Sequence, residues 1–241
     1  MLIVEELHML LLRPDGRVES AVSVNRLYGE IAAVIVDLVL HGRVTVSNEK
    51  NPVVDIVSTQ PTGNPILDST LERLVPLRGK RLQSLVTRPK LDPLEIVVES
   101  LVVQGVLIRG ERGFFGWGAA RTPESDSTPE QTLRARLAAV LAGTLAPTQA
   151  DLALLSILQN LNAAHAILRD EPHREWLRRV TTLLAPHLGD LSAASDAERI
   201  AALWLGQMRA YAAATRAMPN ARSLDAERFK LLPPPELRQV D

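Results

Sequence analysis

The residues best suited to contact a partner lie in one short stretch, Gly113-Phe114-Phe115-Gly116-Trp117-Gly118. The chain has three Phe, three Trp and two Tyr in 241 residues, so this stretch holds a large share of its rings. Such rings are normally buried in the core, because each of them buries a large apolar area. Here they alternate with glycines and are flanked by arginines, namely Arg109, Arg112 and Arg121. The pattern predicts an exposed hairpin that docks on a membrane or a partner, with a hairpin folded onto its own core as the alternative.

A second candidate is the block from Glu72 to Lys90, which carries one acid and six basic residues: Arg73, Arg78, Lys80, Arg81, Arg88 and Lys90. The chain as a whole has a net charge of −1, so only a local patch can attract anions. The block is interpreted either as a solvated face or as a surface for lipid headgroups or phosphates. Nucleic acid is not expected, because the total charge is near neutral and rings are few.

Catalytic patterns are missing from the sequence. There is no nucleophile elbow, phosphate-binding loop or zinc-protease motif. The five histidines are scattered and complete no metal site with carboxylates: His8, His41, His165, His173 and His187. Glu5 and Glu6 are adjacent on a predicted helix, so they point in different directions and form no carboxylate pair. The chain has no cysteine. We therefore expect no enzyme activity, no cofactor and no metal.

The elements that position these residues are mostly helical. Apolar spacing predicts helices over Leu2–Leu12, 25–40, 68–75, 93–104, 130–141, 149–168, 171–185 and 193–215. The first is predicted to be either an amphipathic helix or a helix that runs into a strand. Thr128 is predicted as the N-cap of the fifth long helix. Two helices run through a glycine into a short strand, at Gly42 and at Gly105, and a run from Asn51 to Ser58 is expected to pair with the first strand. The prediction is a mainly α, single helical domain around a central helix bundle with short β-hairpins.

The domain is predicted to span residues 1–241, with a loose tail from about residue 219. The runner-up organisation is a winged-helix unit ending near Arg121, followed by a separate helical domain. The N-terminus lacks a basic region and carries two early acids, so it does not resemble a signal peptide. The longest apolar run, Ile31 to Leu40, has ten residues and contains Asp37. A run of this length is too short to span a bilayer. A cytoplasmic location, with peripheral attachment to the inner face of the cell membrane, is expected.

Several stretches together resemble the Golgi phosphoprotein 3 family. They are the opening run from Val4 to Leu12 with Asp15-Gly16, the helix end Val36–Val44, the loop Pro61-Thr62-Gly63 followed by Ile66-Leu67-Asp68, and the run Leu101–Leu107. The resemblance implies a single mostly helical domain that reads phosphatidylinositol 4-phosphate. It also implies that the hairpin, here about Ile108 to Ala120, makes oligomer contacts and approaches the membrane. The composition is typical of a bacterial, actinobacterial-type relative.

The chain departs from the family in its lipid pocket. Val22 and Ile31 stand where the family has a Trp and an Arg, and the helix from Pro93 to Gln104 has no arginine. The headgroup would then be bound by other residues, with Arg78, Lys80, Arg81, Arg109 and Arg112 as the anion-binding candidates. Phe114, Phe115 and Trp117 are the membrane or oligomer candidates. The leading hypothesis is a peripheral protein that binds anionic phospholipid or phosphoinositide and forms a homo-oligomer through the hairpin. The alternative is a soluble adaptor whose hairpin serves only assembly.

Overall fold

The computed structural model describes residues 1–20, 22–23, 25–47, 52–110, 122–161, 167–168 and 179. These residues belong to one compact unit, Met1–Leu205. Their helices are α1 (Ile3–Leu11), α2 (Arg26–Leu40), α3 (Pro65–Leu74), α4 (Leu82–Val86), α5 (Leu94–Val103), α6 (Thr128–Leu141) and α7 (Gln149–Asn160). The predicted mainly α class is confirmed. The predicted helices over 171–185 and 193–215, and the tail from 219, lie outside the described residues, and the domain extent of 1–241 stays a prediction.

A small antiparallel sheet lies beside the helices, with the strand order β1 (Val44–Val46), β2 (Val53–Ile56) and β3 (Lys80–Arg81). Val44 lies opposite Ile56, which confirms the expected pairing of the first two strands. The third strand was not predicted. It has only two residues, both long and charged, so its extended backbone comes from pairing with β2 and not from local propensity.

Helix α1 occupies the centre of the described bundle and contacts α2, α5, α6 and α7. All nine of its residues are buried, including Glu5, Glu6 and His8. The predicted helix is present, and Leu12 at its end forms an antiparallel bridge with Val18, but the polar side of the helix does not face solvent. Its polar residues face neighbouring helices and find hydrogen-bond partners there, which is the condition for burying them.

Helix α2 is the other central helix and is buried from Gly29 to Leu38. It ends at Leu40, and Gly42 follows two residues later with a φ of +64°. Arg43 N donates to the carbonyl of Leu38 at 2.9 Å. The end of α5 repeats this arrangement at Gly105, where φ is +75° and Val106 N donates to Leu101 O at 2.9 Å. Both are Schellman caps, in which a glycine adopts the left-handed conformation that other residues avoid. The two predicted glycine stops are thus confirmed.

Two predicted helix starts need correction. Helix α3 begins at Pro65 and not at Asp68, because Asn64 accepts hydrogen bonds from Ile66 N and Leu67 N and so caps the helix. Helix α6 begins at Thr128 itself, with Ser127 in the N-cap position. Asp126 accepts the Thr128 N–H at 2.9 Å, so an upstream carboxylate satisfies the first N–H group of this helix.

Candidate functional site

All six cations of the block from 72 to 90 are exposed. Arg73 donates to the carbonyl of Asp92 at 3.3 Å, and Arg88 donates to the carbonyl of Ser84 at 3.3 Å. Both guanidinium groups are therefore held against backbone without being neutralised by a carboxylate. The side chains of Lys80, Arg81 and Lys90 make no hydrogen bond or ion pair within the part of the chain that the structure describes.

The three candidates nearest the sheet do not all lie on one of its faces. Lys80 lies opposite the buried Val54, whereas Arg81 lies opposite Val53. Because neighbouring residues in a strand point to opposite faces, Lys80 and Arg81 leave the sheet on different sides. The Arg78 guanidinium lies 3.8 Å from Asp55, which shares the face of Val53. Arg78 and Arg81 therefore belong to the outer face, and Lys80 extends from the edge on the other.

Arg109 follows α5 and lies on a different element from the sheet. Its guanidinium donates to the carboxylate of Glu99 on α5, and both side chains are exposed. A nearby carboxylate offsets the positive charge that an anion would meet. The other candidates, Arg112, Phe114, Phe115 and Trp117, lie outside the described residues.

The two arms that flank residues 111–121 are paired. Ile108 N donates to the carbonyl of Pro123 at 2.9 Å, and Ser125 N donates to the carbonyl of Val106 at 2.8 Å. Leu107 and Glu124 form an isolated antiparallel bridge between these bonds. We call residues 109–121 the aromatic segment, residues 106–108 its outgoing arm and residues 122–125 its returning arm. The pairing brings Ile108 and Pro123 together, one on each side of the aromatic segment.

A cavity of about 10 Å³ lies beside these arms, lined by Met9, Leu12, Arg13, Val106, Leu107, Glu124 and Glu130. This volume holds about one water molecule, so it is far too small for a lipid headgroup or a cofactor. Burial and the neighbouring Glu130 carboxylate raise the pKa of Glu124. The cavity is a packing feature of the arms.

The adjacent acids of α1 bind different helices, as their sequence positions predicted. Glu5 accepts hydrogen bonds from Ser100 Oγ and Gln104 Nε2 on α5, both at 2.7 Å. Glu6 instead accepts from Arg136 on α6, at 2.7 and 3.1 Å. Arg136 also donates to Asp151 of α7 at 2.9 Å. The two carboxylates therefore stabilise the bundle and form no acid pair.

His8 begins a chain of buried polar contacts that the sequence did not reveal. Its Nδ1 lies 2.7 Å from the Glu30 carboxylate, which also binds Arg26, and Arg26 reaches Asp92 at 2.7 Å. His8 is 1% exposed, and its Nε2 has no partner among the described atoms. His41 is the C-cap of α2, and its Nδ1 lies 2.7 Å from the Asp37 carbonyl. In the sequence, His8 and Glu30 are visible only as polar residues within mostly apolar helical runs, and nothing there indicates that they pair.

The loop Pro61-Thr62-Gly63 is built around Asp68. That carboxylate accepts from Thr62 N at 2.6 Å, from Thr62 Oγ1 at 2.7 Å and from Gly63 N at 3.2 Å. Hydrogen bonding by the Thr62 backbone holds the pKa of Asp68 below its usual range. Arg43 fixes the other side of the loop by donating to the carbonyls of Gln60 and Pro61 at 2.8 and 3.2 Å. These residues are structural, and Arg43 is not available to an anion.

The sequence model of the Golgi phosphoprotein 3 (GPP34) family matches residues 3–216, which is most of the chain. The chain belongs to the GPP34 family. Among proteins with curated functions, no match was found. The matched range includes the opening helix, the Pro61-Thr62-Gly63 loop and the glycine caps at Gly42 and Gly105.

The two positions of this GPP34 chain that were compared above with a lipid pocket are part of the core. Val22 and Ile31 are both fully buried, and α5 presents no arginine. No three His, Asp or Glu residues are placed to hold a metal ion in the part of the chain described above. None of the helices described is both long and apolar enough to cross a membrane.

Proposed function

We propose that this GPP34 chain is a non-enzymatic peripheral membrane protein that binds anionic lipid of the phosphoinositide class. The observation that carries the proposal is the pair Lys80 and Arg81. Both are exposed at the edge of the sheet, and neither side chain has a partner among the residues described. Arg78 adds a third cation, whose contact with Asp55 is long and exposed and therefore weak.

The unpaired cations at the edge of the sheet are accessible to a lipid headgroup, whereas the cavity beside the two arms is too small to hold one. Each Lys or Arg near an anionic bilayer contributes about 1 kcal/mol, and the contribution falls off within a Debye length. Arg88 and Lys90 follow in the same block and bring no carboxylate with them. Arg109 has a smaller share in the proposal, because Glu99 already offsets its charge.

The aromatic segment supplies the second part of the proposal. Phe114, Phe115 and Trp117, with Arg112 beside them, suit the interfacial region of a bilayer or the contact of a homo-oligomer. On this proposal the chain is a bacterial family member that works in the cytoplasm, at the inner face of the cell membrane. No nucleic acid partner is proposed.

The test is co-sedimentation with vesicles of neutral phosphatidylcholine, alone or mixed with phosphatidylserine or phosphatidylinositol 4-phosphate, at several salt concentrations. We expect binding only to the anionic vesicles, and weaker binding as salt rises. If the protein binds none of the anionic vesicles at low salt, the proposal is wrong. Equal binding to phosphatidylserine and phosphatidylinositol 4-phosphate at matched charge would limit it to general anionic attraction.

A second candidate is a soluble adaptor in which the aromatic segment serves assembly alone. It is favoured by the burial of Val22 and Ile31, because a core residue cannot contact a headgroup. Vesicle binding is the measurement that separates the two candidates. An adaptor stays in the supernatant with every vesicle, yet loses its oligomeric state when the aromatic segment is replaced by a short glycine-serine linker.

A further inference from the structure

The turn after α1 lies against the aromatic segment's returning arm. Arg13 N donates to the carbonyl of Arg17, and Gly16 N donates to the carbonyl of Arg13, both at 2.8 Å. Asp15 accepts from Arg17 N at 3.2 Å. A bridge between Leu12 and Val18 follows, so residues 13–17 form the closed end of a short antiparallel loop. We call residues 13–17 the N-terminal turn.

Gly16 is the point of contact. Its φ is +74°, and a Cβ added there would lie 2.4 Å from Pro123 N, 2.5 Å from Thr122 C and 2.6 Å from Thr122 N. These are backbone atoms, so they cannot move aside as the end of a side chain can. Thr122 N also donates to the Gly16 carbonyl at 3.3 Å. Only a glycine allows the two backbones to come this close.

The contact continues through the returning arm to the outgoing arm. Thr122 and Pro123 touch the N-terminal turn, and Pro123 O accepts the Ile108 N–H at 2.9 Å. Three backbone segments are therefore stacked side by side: residues 13–17, 122–125 and 106–108. Of these, the N-terminal turn is joined directly to the buried helix α1.

We infer that the N-terminal turn holds the returning and outgoing arms in place, and that Gly16 is the positioning residue because it admits the returning arm. The turn links the buried helix α1 to the returning arm, which lies about a hundred residues later in the chain. The position of the two arms is then set by the buried helix α1 through the N-terminal turn. The consequence for lipid binding rests on the proposed function, whereas the positioning itself does not.

The test is amide hydrogen exchange of the full chain with Gly16→Ala. In this variant we expect the amides of Ile108, Thr122 and Ser125 to exchange at least about tenfold faster, which corresponds to 1.4 kcal/mol of lost protection. Amides in the middle of α2 and α7 should keep the protection they have in the unmodified chain. A folded Gly16→Ala protein with unchanged exchange in both arms would overturn the inference.

Gly42→Ala is the matched control. Gly42 also has a positive φ, of +64°, but an added Cβ would meet nothing within 4 Å. Gly42→Ala therefore introduces the same kind of backbone strain without a clash against another segment. The amides of the two arms should then exchange as they do in the unmodified chain. Faster arm exchange in Gly42→Ala as well would show that general destabilisation, and not the contact, is responsible, and would overturn the inference.

Asp15→Ala keeps the test decisive if Gly16→Ala does not fold. It removes the hydrogen bond from Arg17 N at an exposed position, so the core is untouched and only the turn loosens. Its arms should exchange several-fold faster, and unchanged exchange would count against the inference.

Vesicle binding is measured in parallel on the same variants. If the unmodified chain binds anionic vesicles, Gly16→Ala should bind them less well while Gly42→Ala does not change; equal binding by both would refute the link to lipid. If the unmodified chain binds no vesicle, the proposed function fails, and the exchange data still decide whether the turn holds the arm.

Discussion

Arg136 of α6 and Glu6 of α1 form a two-bond contact, with Nη–Oε distances of 2.7 and 3.1 Å, although they are 130 residues apart in the chain. The same guanidinium donates to Asp151, which is 1% exposed. One cation therefore neutralises two buried carboxylates and joins three helices. Hydrogen bonding to Glu6 raises the pKa of Arg136, so it stays charged throughout the working pH range.

Replacement of this arginine should weaken the fold. Arg136→Ala leaves two poorly hydrated carboxylates without their cation, so we expect the free energy of unfolding to fall by about 2 kcal/mol. Urea denaturation followed by circular dichroism measures this. Arg109→Ala is the control, because its pair with Glu99 is exposed on both sides and contributes under about 0.5 kcal/mol. Equal losses in the two variants would contradict the role assigned to Arg136.

Asp37 should make stability depend on pH. Its carboxylate accepts the N–H groups of Ile3 and Val4 at 2.9 and 3.0 Å, yet burial outweighs these bonds and raises its pKa to about 7. In the unfolded chain the value is about 4. Between these values the folded state holds a proton that the unfolded state has lost. The contribution to stability is thus fully present below about pH 4 and is lost as pH rises to about 7.

The expected slope from this group is at most about 1.4 kcal/mol per pH unit. Asp37→Asn has no titrating proton, so its unfolding free energy should lack this slope between about pH 4 and pH 7. Urea titrations of both proteins across that window give the comparison. Parallel curves for the two proteins would mean that Asp37 stays ionised in the folded state.

The sequence allowed prediction of features that depend on neighbouring residues. The caps at Gly42 and Gly105 depend on the few preceding residues, and the divergence of Glu5 and Glu6 depends only on helical geometry. Each of these follows from local backbone chemistry, which is why the prediction was right.

Features that depend on distant packing could not be predicted in this way. Nothing near Glu6 in the sequence points to Arg136, and nothing near Gly16 points to Thr122. The pairing of Arg109 with Glu99 depends on how the chain leaves α5. The basic block was found from composition, but the division of Lys80 and Arg81 between two faces depends on a strand pairing that propensity does not indicate.

The loop at Asp68 should lose its order when that carboxylate is removed. Asp68→Ala leaves the N–H groups of Thr62 and Gly63 to water, so we expect the unfolding free energy to fall by about 1–2 kcal/mol. The pKa of Asp68 is lowered, so its contribution is present above about pH 4 and is lost as pH falls through the folded-state value. Urea titration at neutral and acidic pH tests both statements. Asp55→Ala, at an exposed and weakly paired acid, should change stability little.

Vesicle binding should separate the unpaired cations from the paired one. Lys80→Gln combined with Arg81→Gln removes two cations that have no described partner, at about 1 kcal/mol each near an anionic bilayer. The dissociation constant for anionic vesicles should therefore rise roughly thirtyfold. Arg109→Gln should raise it by less than about fivefold, because Glu99 already offsets that charge. Co-sedimentation at low salt gives the three constants, and a larger effect from Arg109 than from the pair would move the lipid surface from the sheet edge to the end of α5.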